Sequence, residues 1–202
     1  LRAASILVVV LWHWTFSITH RNDEGALTMP NPVGDVRLLW LATWLLQVMP
    51  LFFLVGGYSN LASWTAARRD GRTAGAFVRA RLERLGRPTL VLVAVWAVLD
   101  VVLLATGATD SSVLSWGLVV FVPLWFLGVY AAVVVLVPLT SRMHERGGPL
   151  PLVALGAAIA LADLGRFRFD LGWLGVLNAG LVFLFCHQLG YVWRDRDRAR
   201  RR

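Results

Sequence analysis

The sequence predicts an all-α fold, a polytopic transmembrane helix bundle of about six spans with both termini cytoplasmic. Three observations carry that prediction. Apolar residues make up 57% of the 202-residue chain, against roughly 45–50% in soluble domains on a comparable count. The excess is gathered into long runs, such as residues 3–12, 90–98, 118–139 and 181–186, and a bilayer core about 30 Å thick is crossed by about 20 mostly apolar helical residues. The net charge of +8 comes entirely from arginine, with no lysine, and those arginines lie between the apolar runs and at the chain end.

Taken in order, the first span covers residues 3–19 and the second 36–57, with a possible continuation to Trp64. A basic stretch, 68–88, follows. The third span is 89–105, the fourth 116–139, the fifth a short Ala/Gly-rich segment at 150–164, and the sixth 171–193, with a tail at 194–202. Within the basic stretch, Val78, Leu82 and Leu85 recur at helical spacing, with Arg81, Arg84 and Arg87 on the other side. Residues 77–88 therefore read as a short amphipathic helix at the inner membrane surface. Glu83 and Arg87 are spaced for an i,i+4 pair, and Pro88 can start the next span.

Orientation follows from the arginines. With loops assigned alternately to the two sides, sixteen arginines fall on one side, and Arg21, Arg37, Arg166 and Arg168 fall on the other. The rich side is read as cytoplasmic, so loops 20–35, 107–115 and 165–170 face outward. This placement argues for membrane topology and against nucleic-acid binding, despite the basic balance. The lone Cys186 excludes an intrachain disulfide and reads as packing. The N-terminal run has no small-residue cleavage site after it, so it reads as a span and not a leader. No zinc spacing, phosphate loop, nucleophile elbow or dinucleotide fingerprint occurs, and no metal is expected.

Ionisable groups inside spans are costly and mark candidate sites. His13 is the sharpest. Arg2 and His13 are eleven positions apart; at about 100° per residue they lie about 20° from three full turns, on one helix face and about 16 Å apart along the axis. Ser17 and His20 extend that stripe. A near-neutral imidazole suits general base work, and it equally suits a hydrogen bond between helices. In the second span, Pro50, Gly56 and Gly57 allow either a broken helix lining a cavity or a kink with close packing. The Arg81, Arg84 and Arg87 row suits phosphate or anionic lipid, and composition alone favours the lipid anchor. Asp100 reads as a cavity group or a span end. His187 and Gln188 read as packed polar contacts, and Cys186 and His187 do not share a face.

Four motifs in order resemble the acyltransferase 3 family of membrane O-acyltransferases. They are Arg2 and His13 in a first span containing VVVLWHW, the segment MPLFFLVGGYSN, the basic FVRARLERLGRP with its Arg-x-x-Arg before a proline, and PLWFL at 123–127. The family's Ser-Gly-Phe triplet reads Gly56-Gly57-Tyr58 here. The resemblance implies an acyltransferase that moves an acyl group, often acetyl, from acyl-CoA as co-substrate at the cytoplasmic side. The acceptor would be a saccharide or other hydroxyl at the outer side of the cell membrane. It makes His13 the catalytic base and Arg2 a donor-orienting group, and it assigns Arg81 and Arg84 to coenzyme A phosphates. It also implies a single transmembrane acyltransferase-like domain over 1–202, corresponding to the N-terminal part of a family member of about ten spans. The partners expected are the lipid bilayer and the acceptor, with no nucleic acid. The competing class is a transporter-like or non-catalytic bundle with His13 as proton relay or structural residue; inverted repeats would favour it, and none is found.

Overall fold

The computed structural model describes residues 48–106 and 124–201, together with residues 7, 8, 11, 20, 21, 27, 28, 38 and 41. Among the described residues there are five long helices, α1 Val48–Arg69, α2 Ala74–Ala105, α3 Trp125–Gly147, α4 Leu150–Phe169 and α5 Leu174–Arg200. A two-residue antiparallel pairing, β1 His20–Arg21 with β2 Leu27–Thr28, sets His20 opposite Thr28 and Arg21 opposite Leu27. The chain divides into two compact units, one of Leu1–Phe52 with Leu90–Pro123, the other of Phe53–Thr89 with Leu124–Arg202.

In the first unit, the described part of α2 is mostly apolar and largely exposed. Leu90, Val91, Val98 and Val101 are all more than 60% exposed. A stretch of this kind is at home where lipid is the solvent. Among the described residues α2, α3, α4 and α5 are long and apolar enough to cross a membrane.

In the second unit, α1, α3 and α5 run side by side in one direction. Phe53 of α1 meets Tyr130 of α3 and stacks on Phe183 of α5, with ring centroids 5.5 and 4.5 Å apart. Further along the same three helices, Arg68 meets Glu145 and Arg194 meets Thr65. Helix α4 runs back against α5, and the turn between them is set by Asp170 in the left-handed region (φ 54°), whose N–H bonds to the Gly165 carbonyl. Gly148 (φ 54°) makes the turn from α3 into α4, with its N–H on the His144 carbonyl. At the start of α2, Thr73 accepts the Ala76 N–H at 3.2 Å, the geometry of an N-cap. A small core of Trp64, Ala67, Phe77 and Val137, joined by Ala74 and Val78, ties α1, the start of α2 and α3 together.

Several boundaries differ from the sequence reading. Residues 77–88 are no separate surface helix: Pro88 lies inside the continuous α2. One lost backbone hydrogen bond is tolerated, while breaking the helix would free several groups beside a membrane. Glu83 pairs with Arg79 at 2.8 Å rather than with Arg87. The fourth span continues to Gly147 through Pro138. The fifth continues to Phe169, so most of loop 165–170 is helix. The tail is helical to Arg200, since arginine is a good helix former and favours a helix C-terminus. Of the first span only residues 7, 8 and 11 are described, all three helical. In the second span residues 36, 37, 39, 40 and 42–47 lie outside the described residues. The second span continues as α1 beyond Trp64 to Arg69.

Candidate functional site

Arg2 and His13 lie outside the described residues. Arg81 and Arg84 are both on α2, three positions apart and so on one face. They line a cleft of about 280 Å³ in the second unit with Ser63, Asp70, Arg72 and Phe77. The Arg81 guanidinium lies 5.6 Å from the centre of the Phe77 ring. Phe77 is itself buried against Trp64, centroid to centroid 5.1 Å, so the aromatic platform beneath Arg81 is fixed by the core. Arg84 is exposed. The neighbouring Arg79 is occupied by Glu83. The cleft thus presents two guanidinium groups on one helical face beside a ring, a surface suited to phosphate oxygens.

Deeper in the unit, a polar seam runs between α1, α3 and α5. Asn60 Nδ2 donates to Tyr130 Oη at 3.2 Å and lies 3.1 Å from His187 Nε2. With both amide protons used in this way, His187 accepts on Nε2 and carries its proton on Nδ1. His187 is completely buried and Asn60 nearly so. Tyr191 sits edge-on to both His187 and His144 and hydrogen-bonds Thr140 at 3.0 Å. The packed polar role read for His187 is therefore found, and Gln188 is buried beside it. Gly56 and Gly57 lie within unbroken α1. A Cβ on Gly57 would strike the His187 carbonyl, and one on Gly190 the Leu54 carbonyl, so the glycines serve close helix approach, as small residues do in membrane bundles.

Towards the arginine-rich end, His144 Nε2 pairs with Asp195 Oδ2 at 2.9 Å, Tyr58 Oη donates to Asp197 at 2.7 Å, and Arg68 Nη1 contacts both oxygens of Glu145 at 2.8 and 2.9 Å. Sequence reading missed His144, Arg194 and Asp195. The available signal was that His144 and Arg194 abut apolar runs; it was lost because the segments were taken as a loop and a tail. Three of the motif segments lie wholly or in part among the described helices. MPLFFLVGGYSN lies on α1, the Arg-x-x-Arg on α2, and residues 124–127 open α3, with Trp125 packed against Phe183 at 5.9 Å.

A family model described as an acyltransferase domain matches residues 1–202. The chain belongs to the acyltransferase 3 family. No curated protein and no solved structure matches it. Membership in this family of membrane acyltransferases accords with the four helices, among the described residues, that are long and apolar enough to cross a membrane. Among the described residues no cluster of His, Cys, Asp or Glu is arranged to hold a metal ion.

Proposed function

We propose that the protein is a membrane-bound O-acyltransferase moving an acyl group, taken here as acetyl, from acyl-CoA to a hydroxyl of a saccharide or other extracytoplasmic acceptor. The observation that carries this reading is the family match over the whole chain. The paired guanidinium groups of Arg81 and Arg84 at one cleft support it, because the donor carries phosphates. His13 takes the proton of the acceptor hydroxyl as its oxygen attacks the thioester carbonyl. The new C–O bond forms, the C–S bond breaks, and the coenzyme A sulfur leaves and takes up a proton. Arg2 orients the donor. The arginine-rich side is cytoplasmic and receives the donor, and the acceptor meets His13 from the outer side. The test is mass analysis of surface saccharides from cells with and without the protein. The reading expects an acyl substituent that depends on the protein. An unchanged saccharide profile, together with solute flux that depends on the protein, would transfer it to the transporter class.

A further inference from the structure

A cleft of about 570 Å³ in the second unit lies at the arginine-rich end and shares no lining residue with the cleft of Arg81 and Arg84. Its walls come from Thr65 of α1, His144 and Glu145 of α3, and Arg194, Arg196 and Arg198 of α5. Both α3 and α5 carboxylates in it are already engaged. Glu145 is held by Arg68 through both oxygens, and Asp195 is held by His144.

Arg194 is the unusual member. It is only 3% exposed. Its one hydrogen bond among the described residues runs from Nη1 to Thr65 Oγ1 at 3.2 Å, and that hydroxyl in turn donates to the Leu61 carbonyl at 2.6 Å. Among the described residues Arg194 makes no ion pair. Buried charges are ordinarily paired, and an arginine that only marks topology extends its head to the interface. Arg194 does neither. A guanidinium has five N–H donors in a fixed fork that matches phosphate oxygens. Arg198 lies one helical turn on, on the same face, and Arg196 joins them at the cleft wall.

We infer that this cleft is a binding site for a phosphate group, with Arg194 as the buried anchor and Arg198 and Arg196 closing on the outer oxygens. The phosphate belongs either to an anionic lipid headgroup or to a soluble phosphoanhydride, and the site follows from the charge imbalance whichever reaction the protein catalyses.

The purified protein in lipid nanodiscs provides the test. Pyrophosphate is titrated by calorimetry into phosphatidylcholine discs, and phosphatidylglycerol retention from mixed discs is read by native mass spectrometry. Arg198→Gln, at an exposed position, and Arg194→Lys, which keeps the charge and loses the fork, are compared with Arg142→Gln outside the cleft. Losing a charge-assisted hydrogen bond weakens binding about tenfold or more. Pyrophosphate binding that falls in both cleft variants and not in Arg142→Gln identifies a soluble phosphate. Phosphatidylglycerol retention with the same dependence, without pyrophosphate binding, identifies a lipid headgroup. Absence of both kinds of binding, or binding indifferent to Arg198→Gln and Arg194→Lys, overturns the site.

Discussion

Gly57 and Gly190 touch across the α1–α5 crossing: a Cβ added to Gly190 would lie 3.0 Å from the Gly57 Cα. This contact brings the two helices close enough for Asn60 to reach His187 at 3.1 Å. Gly57→Ala is expected to destabilise the protein by about 1–3 kcal/mol, the usual effect of overpacking. Gly180, on α5 with Gly190, has open space where a Cβ would sit, and Gly180→Ala is expected to be neutral or stabilising by up to about 1 kcal/mol. Thermal unfolding in detergent checks both. Equal destabilisation by the two substitutions would mean that helix α5 does not pack as described.

Topology is checked by labelling. In a Cys186→Ser background, an impermeant thiol reagent applied from outside is expected to modify Thr109→Cys and to miss Thr73→Cys. The reverse pattern would exchange the donor and acceptor sides.

The cleft at Arg81 and Arg84 makes a kinetic prediction. Replacing both by Ala removes two phosphate-suited groups, each charge-assisted hydrogen bond being worth about 1.5–3 kcal/mol. The apparent donor KM is expected to rise at least tenfold, with insertion unchanged. Correctly inserted protein with normal donor KM would leave the two arginines as lipid anchors.

In the proposed function His13 is the general base. His13→Ala is expected to lower acyl transfer by about 10²- to 10⁴-fold, the usual contribution of a general base. His13→Gln keeps hydrogen-bonding capacity and cannot take a proton at neutral pH, so it is expected to be nearly as inactive. Near-normal transfer by His13→Gln would assign the residue a structural role.

The helical fold was legible because a bilayer demands long apolar runs, and residues 90–105, 125–139, 150–164 and 174–193 all show one. Helix ends were less legible. Residues 194–202 read as a tail beyond the last span, yet arginine sustains a helix as well as it ends a span. Pro88 read as a start because propensity weighs the lost hydrogen bond and ignores the groups a break would expose. The pairing of His144 with Asp195 joins residues 51 positions apart, a separation at which periodicity carries no information. Arg81 and Arg84 were visible by their own spacing, while Phe77, which supports Arg81, read as the start of a surface helix.

The charged clasps of the second unit gather at one end, where they stand beside the Trp64–Phe77 and His144–Tyr191 ring contacts. At the arginine-rich end the helices are clasped by Arg68 with Glu145, His144 with Asp195, and Tyr58 with Asp197. Towards the other end, Phe53, Phe183 and Trp125 hold them by ring contacts. The two ends therefore answer to different solvents. Ionic strength loosens exposed charge pairs such as Arg68–Glu145 and leaves aromatic packing untouched, whereas a change of hydrocarbon surroundings acts on the rings and spares the clasps. Salt and the hydrocarbon surroundings therefore act on different sets of contacts within the second unit.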